Sequence, residues 1–203
     1  MVETNTESSP LPSLAVLISG RGSNMMAIAD ACERGELPAH IALVISNRPD
    51  AKGLEHAQDK GLTTDVIDHK AYASRQLFDQ ALHDRLCTAQ PRWIVLAGFM
   101  RILTPEFVNQ WEGKILNIHP SLLPKHPGLD THKKAIESGD TEAGASVHIV
   151  TPELDAGPVI AQVRVPVLND DTAETLGKRV LAKEHQLFID ALKICLSRDS
   201  AGR

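Results

Sequence analysis

Aromatic residues are scarce in this sequence, where they make up 3% of 203 residues. Proteins that bind single-stranded nucleic acids stack the bases on aromatic side chains, so this scarcity argues against that function. The sequence also has no surplus of basic residues, since its formal net charge is -5 at pH 7. Domains that bind nucleic acids usually carry a basic patch. The composition therefore predicts that the chain has no nucleic-acid partner.

Long hydrophobic runs and paired cysteines are also absent. No apolar run approaches the ~20 residues of a membrane-spanning helix, and the polar start of the chain lacks the basic segment of a signal peptide. Cys32, Cys87 and Cys195 are far apart and form no C-x-x-C pair, which is typical of reduced thiols in the cytoplasm. We therefore expect a cytoplasmic protein without a membrane partner, either a monomer or a homodimer.

The first hundred residues alternate regularly between strand and helix patterns. Short apolar runs predict buried strands at residues 14–19, 41–46, 63–68 and 93–97. Helices are predicted at about residues 25–34, 51–60 and 75–89, with Ser23 or Asn24 capping the first and Ser74 capping the third. This alternation predicts an α/β fold, a doubly wound and mostly parallel sheet with helices on both faces.

The second half of the chain is less regular. A strand at 114–119 runs into a proline-rich loop, and a short helix follows at 131–138. Strands at 145–150 and 159–167 form a hairpin that predicts a mixed or antiparallel edge on the sheet. Thr172 caps a long final helix at 172–196. We expect one domain at 14–197, between a disordered tail at 1–13 and a frayed tail at 198–203.

The segment Ser19-Gly20-Arg21-Gly22-Ser23-Asn24 follows a predicted strand and opens a helix. Free N–H groups at a helix start attract anions, and glycine lets the backbone wrap around phosphate oxygens. The segment is no Walker A loop, and Met25 stands where a dinucleotide fingerprint has its third glycine. The pattern favours a monophosphate site, with a plain tight turn and helix cap as the alternative.

A second motif, N-I-H-P-S-L-L-P, places Asn117 and His119 at the end of a predicted strand. Side chains alternate along a strand, so these two share one side while Ile118 points into the core. An amide can donate to a developing oxyanion, and an imidazole can donate or move a proton. The pair therefore indicates a catalytic site, although either residue alone is more often structural.

The turn L-D-A-G-P joins the two strands of the predicted hairpin. Its Asp155 either caps its own backbone, as turn aspartates usually do, or reaches His119, where it would orient the ring and favour the imidazolium. A zinc site at His119, His126 and His132 is a further alternative. Their spacing matches no zinc motif and no cysteine joins them, so we expect no metal.

Four motifs in order, S-G-R-G-S-N, A-G-F-M-R-I-L, N-I-H-P-S-L-L-P and H-x-V-T-P-E-L-D-A-G-P, resemble those of the folate-dependent formyltransferases. The resemblance covers about residues 14–187, and the first motif narrows it to the branch that formylates glycinamide ribonucleotide. It implies a Rossmann-like fold whose N-terminal half binds phosphate, and whose C-terminal half binds folate and is catalytic. It also implies 10-formyltetrahydrofolate as the co-substrate.

The resemblance implies roles for individual residues. Gly22, Ser23 and Asn24 would bind the substrate phosphate, and Glu184 would bind the ribose. Asn117, His119 and Asp155 would form the catalytic group. The residues that would contact the folate are Arg75, Met100, Arg101, Ile102, Leu103, Asn117, Thr151, Pro152, Glu153, Leu154 and Asp155.

The implied reaction moves a formyl group to the amine of glycinamide ribonucleotide in purine synthesis. A formyltetrahydrofolate hydrolase is one alternative, although water as the acceptor needs no phosphate loop. An enzyme that formylates initiator tRNA is another, and the acidic, aromatic-poor composition argues against it. A non-catalytic phosphate- or folate-binding module is the third, and it would bind both ligands without turnover.

Overall fold

The computed structural model describes residues 11–201, which contain one seven-stranded sheet and six α-helices. The strands are β1 Ser13–Ile18, β2 His40–Ser46, β3 Thr64–Val66, β4 Trp93–Leu96, β5 Ile115–His119, β6 Glu142–Ile149 and β7 Val159–Pro166. The helices are α1 Ser23–Glu33, α2 Lys52–Asp59, α3 Arg75–Ala89, α4 Pro105–Gln110, α5 Thr131–Glu137 and α6 Ala173–Ala201. No helix in this part of the chain is long and apolar enough to span a membrane.

The sheet has the strand order β3-β2-β1-β4-β5-β6-β7. The first five of these strands are parallel, whereas β6 pairs antiparallel with both β5 and β7. Neighbouring strands therefore run in the directions that the sequence predicted, including the antiparallel edge. In parallel sheets, ligands bind beyond the carboxyl ends of the strands, most often where the strand order reverses, as it does here between β1 and β4.

Both faces of the sheet are covered by apolar packing. On β1, Leu14, Val16 and Ile18 belong to one buried cluster, while Ala15 and Leu17 belong to the other. This division follows from the alternation of side chains along a strand. The first cluster includes side chains from α1, α2, α5 and α6, and the second includes side chains from α3 and α4. The prediction of a doubly wound sheet is confirmed.

The starts of the helices match the predicted caps in two cases out of three. Ser74 Oγ accepts a hydrogen bond from the Leu77 N–H, and Thr172 Oγ1 accepts one from the Thr175 N–H. The predicted cap of α1 by Ser23 or Asn24 is wrong, because both residues lie inside the helix and Gly22 occupies the cap position. With φ of 73°, Gly22 turns the chain into the helix in a left-handed conformation that favours glycine.

Several boundaries differ from the predicted ones. Strand β3 is three residues long, and the chain then forms a 3-10 turn at His69–Ala71 that was not predicted. The short helix α4, for which no range was predicted, begins at Pro105. At the other end, α6 continues to Ala201, beyond the predicted start of a tail at residue 198. Asp199 accepts hydrogen bonds from Arg92 and Trp93, which fixes the end of this helix to β4. Of the predicted tail at 1–13, residues 1–10 lie outside the described part, and Ser13 already belongs to β1.

Candidate active site

The phosphate loop, residues 19–24, connects the carboxyl end of β1 to the start of α1. It packs against the first turn of α2, where the Gly53 N–H donates a hydrogen bond to the Gly20 carbonyl oxygen at 2.9 Å. A Cβ atom at Gly22 would lie 2.9 Å from the Cα of Gly53, which is too close for any side chain. Two glycines therefore face each other, and the loop keeps its backbone N–H groups at the helix start, where an anion is favoured.

Asn24 and Glu184 join α1 to the final helix beside the phosphate loop. Asn24 Nδ2 donates a hydrogen bond to Glu184 Oε2 at 3.0 Å, and both side chains are buried. Burial raises the pKa of Glu184, and the hydrogen bond from Asn24 opposes this shift. Within the described residues, Asn24 Oδ1 has no hydrogen-bond partner. The pair thus combines a carboxylate and an open amide acceptor next to the anion site.

His119 and Asp155 are in contact, as the catalytic hypothesis requires. Nδ1 of His119 lies 3.4 Å from Oδ2 of Asp155, and both side chains are buried. Nε2 of His119 lies 3.0 Å from the carbonyl oxygen of His126. Both ring nitrogens of His119 therefore face oxygen acceptors. Asp155 itself has φ of 52°, and its Oδ2 also accepts a hydrogen bond from the Gly128 N–H.

A second histidine, His148, lies on the other side of Asp155. Its Nε2 is 3.7 Å from Asp155 Oδ1 and accepts a hydrogen bond from Asn117 Nδ2 at 3.2 Å. Nδ1 of His148 lies 3.0 Å from the carbonyl oxygen of Ile149, so Nδ1 carries the proton of a neutral ring. Burial lowers the pKa of His148, although the Ile149 carbonyl and Asp155 oppose the shift. Asp155 therefore lies between two imidazole rings, those of His119 and His148.

Sequence reasoning gave His148 no role. The residue lies directly opposite Asn117 in the antiparallel pairing of β5 with β6. His148 is the first residue of the fourth motif. The signal that could have found it was the register between the first strand of the predicted hairpin and the strand that carries Asn117. The structure thus brings Asn117, His119, His148 and Asp155 together at the carboxyl end of β5.

Besides Asn117 and Asp155, the residues predicted to contact folate lie in three segments, which are the start of α3, the segment after β4 and the turn after β6. Met100 and Ile102, after β4, are 74% and 60% exposed, whereas the Leu103 side chain is buried in the core. Arg101 lies over the ring of Phe78, at 5.7 Å from its centroid. Arg75 begins α3, and its side chain has no hydrogen bond or ion pair within residues 11–201. In the turn after β6, Thr151 Oγ1 donates to the Glu153 carbonyl oxygen, and Pro152, Glu153 and Leu154 are exposed.

The other two histidines of the zinc alternative are engaged differently. Nε2 of His126 lies 2.7 Å from Asp140 Oδ2, and Lys125 binds the other oxygen of the same carboxylate. His132 is partly buried, and its pKa is lowered by burial and, to a smaller extent, by His119. Among residues 11–201, no three side chains of the usual ligand types form a group that could hold a metal ion. The expectation of a metal-free site stays a prediction.

Known proteins resemble this chain over most of its length. The pattern of the formyl transferase family matches residues 13–192. A phosphoribosylglycinamide formyltransferase of Escherichia coli is 49% identical over 175 residues, which are 86% of this chain and 82% of that protein. The human trifunctional purine biosynthetic protein adenosine-3 is 46% identical over 184 residues, which are 91% of this chain but 18% of that protein. The crystal structure of glycinamide ribonucleotide transformylase 1 from Symbiobacterium toebii superposes with a TM-score of 0.88, at 44% identity, and covers 92% of this chain and 88% of that one.

Proposed function

Because the chain belongs to the formyl transferase family, we propose that it formylates the amine of 5'-phosphoribosylglycinamide. The formyl donor is 10-formyltetrahydrofolate, and the products are 5'-phosphoribosyl-N-formylglycinamide and tetrahydrofolate. The reaction is a step of purine (IMP) biosynthesis in the cytoplasm, and its partners are small molecules. Relatives named for this reaction match most of the chain at up to 49% identity, which supports the proposal.

The phosphate loop and the Asn24–Glu184 pair form the binding site for the ribonucleotide. Gly22, Ser23 and Asn24 present their backbone N–H groups to the phosphate at the start of α1. The Glu184 carboxylate accepts hydrogen bonds from the ribose hydroxyls. A buried carboxylate is favourable when it is paired with donors, and two neighbouring hydroxyls are suitable donors.

The exposed apolar side chains of Met100, Ile102 and Leu154 fit the flat ring of a folate, which needs apolar contact on its faces. The turn at 151–155 and the backbone of the segment at 100–103 supply polar groups for the edges of that ring. Arg75, whose guanidinium is free of partners within the described chain, suits a carboxylate of the folate tail. These features support the folate-binding assignment.

The transfer begins when the amine of the ribonucleotide attacks the formyl carbon. Negative charge develops on the formyl oxygen, where the Asn117 amide and the His119 imidazolium donate hydrogen bonds. For this, Nε2 of His119 exchanges its contact with the His126 carbonyl oxygen for the substrate oxygen. Asp155 orients the ring and stabilises its charge while a proton moves from the attacking amine to the departing folate nitrogen. His148 orients the amide of Asn117.

The contact between His119 and Asp155, at 3.4 Å and shielded from water, is the observation that carries the proposal. The test measures the folate product with and without glycinamide ribonucleotide, and with its dephosphorylated analogue. We expect turnover only with an amine acceptor, and a fall in kcat/KM of at least about tenfold for the analogue, because each bond to a charged phosphate is worth about 1.5–3 kcal/mol. Equal turnover in the absence of the amine would identify a hydrolase, and binding of both ligands without turnover would identify a binding module.

A further inference from the structure

Ser19 is buried and directly follows β1. It lies between two segments that the proposed function assigns to different substrates. On one side it is the first residue of the phosphate loop. On the other side, its N–H donates a hydrogen bond to the Gly98 carbonyl oxygen at 3.2 Å, and its Oγ accepts one from the Met100 N–H at 2.7 Å. Ser19 is 5% exposed, so water does not compete for these bonds.

The orientation of the Ser19 hydroxyl is fixed by a third contact. Its Oγ donates a hydrogen bond at 2.5 Å to Oδ1 of Asn47, which is buried just after β2. Because the hydroxyl proton points to Asn47, an oxygen lone pair is left for the Met100 N–H. The ends of β1, β2 and β4 are therefore joined through one hydroxyl group.

The segment Met100–Leu103 is held at its other end by a different side chain. The Thr104 N–H donates a hydrogen bond at 2.6 Å to Oδ2 of Asp79, a buried residue of α3. Between these two fixed points, Met100 and Ile102 expose their side chains. Asp79 therefore holds Thr104, directly after this folate-facing segment, whereas Ser19 holds Met100 at its start and continues into the phosphate loop.

We propose that Ser19 is a positioning residue that couples the two substrate sites, because its hydroxyl sets the folate-facing segment relative to the phosphate loop. The inference rests on the proposed function for the identity of the two substrates. Loss of the hydroxyl leaves the Met100 N–H and the Asn47 Oδ1 without a partner in a buried place, so both segments shift. Loss of the Asp79 carboxylate releases the folate-facing segment only.

The test compares Ser19→Ala and Asp79→Ala with Ser46→Ala as the matched control. Ser46 lies on the neighbouring strand β2, where it pairs with Ile18, and within residues 11–201 its buried hydroxyl bonds to the backbone of Arg48 alone. We expect Ser19→Ala to raise the KM of both substrates about fivefold, which is the value of one hydrogen bond, with a smaller change in kcat. Asp79→Ala should raise the KM of the folate alone. Ser46→Ala should lower the melting temperature and leave both KM values unchanged.

Three results would overturn the coupling role: an unchanged folate KM in Ser19→Ala, an unchanged ribonucleotide KM in Ser19→Ala, or equal rises in Ser46→Ala. Calorimetric titrations with glycinamide ribonucleotide and with folic acid give the same comparison without turnover. If the unmodified protein makes no formylated product, the proposed function fails, and the titrations then decide the coupling by themselves. If Asp79→Ala does not fold, the comparison of Ser19→Ala with Ser46→Ala remains decisive.

Discussion

The phosphate loop and the catalytic group lie at the same end of the parallel strands but are built in different ways. The loop is continuous in sequence and acts through its backbone, which Gly22 and Gly53 allow to pass closely. The catalytic group consists of side chains from two antiparallel strands and a turn, among them Asn117, His119 and Asp155. Under the proposed function, affinity for the phosphate depends on local conformation, whereas the chemistry depends on strand register. Changes in one region should alter KM, and changes in the other should alter kcat.

The largest effect is expected from the His119–Asp155 pair. Asp155→Asn removes the charge, and it suits the position because asparagine tolerates the positive φ found there. We expect kcat to fall by at least ~10² in Asp155→Asn and in His119→Ala, because oxyanion and proton-transfer contributions are each worth about 10²–10⁴. The KM of glycinamide ribonucleotide should change little. Steady-state kinetics with each substrate varied in turn would measure both constants.

A double-mutant cycle decides whether the pair acts as a unit. The double variant should lose much less than the product of the two single losses, since residues of one catalytic unit are not additive. Losses that multiply fully, or near-normal turnover in Asp155→Asn, would show that Asp155 only shapes its turn. Melting curves of all three variants serve as the control for folding.

A smaller effect, on KM and not on kcat, is expected from Gly22→Ala. The new methyl group meets the Gly53 backbone in a left-handed conformation, so the phosphate loop must shift. We expect the KM of glycinamide ribonucleotide to rise by about fivefold or more, from roughly 1–3 kcal/mol of overpacking, with kcat nearly preserved. Gly35→Ala is the matched control, because Gly35 follows the same helix with φ of 69° and open space around it. A similar KM in both variants would contradict the prediction.

The contributions of the two regions to the free energy of unfolding should also change with pH in opposite directions. Burial lowers the pKa of His148 from its ordinary value of 6.5. As the pH falls below 6.5, the unfolded chain binds this proton first, so the free energy of unfolding decreases. Burial raises the pKa of Glu184 from 4.5, so its ionisation destabilises the fold as the pH rises above 4.5. His148→Gln should therefore reduce the loss of stability in acid, and Glu184→Gln should make it steeper.

Urea unfolding of both variants between pH 5 and pH 7.5 would measure these slopes. His132 has a lowered pKa for the same main reason and remains in both proteins, so the acid sensitivity of His148→Gln should decrease without disappearing. Parallel curves for the unmodified protein and His148→Gln would show that this ring does not contribute.

The smallest expected effect is that of metal removal, which we predict to be none. Asp140 engages His126, and the spacing of the histidines matches no metal motif. Dialysis against EDTA should leave kcat and both KM values unchanged. Asp155→Asn serves as the reference for an impaired catalytic group. Activity that is lost on chelation and restored by zinc would reveal a metal at the catalytic group.

The sequence predicted the α/β fold and the directions of its strands because both follow from local patterns. Branched apolar runs, glycines after helices and the cap at Ser74 all act within a few residues of each other. The shared side of Asn117 and His119 follows from strand geometry alone. What local patterns could not supply is the conformation of Gly22, whose place before α1 results from its packing against Gly53.

The contacts of the catalytic group were beyond reach for the same reason. Whether Asp155 meets His119 depends on the path of the turn after β6, and both the positive φ of Asp155 and the Gly128 N–H that holds its carboxylate are tertiary features. His148 is defined as a neighbour of Asn117 only by the register of β5 with β6. The roles of all these residues in catalysis stay predictions until the variants are measured.

The bond between Asn24 and Glu184 has a consequence for the synthesis of the protein. The two residues are 160 positions apart. At a translation rate of about 5–20 residues per second, Glu184 emerges roughly ten to thirty seconds after Asn24. During that time the nascent chain already contains the glycines of the phosphate loop, whereas the carboxylate that the proposed function assigns to the ribose is still missing. The part of the proposed ribonucleotide site that is synthesised last is therefore the one on α6.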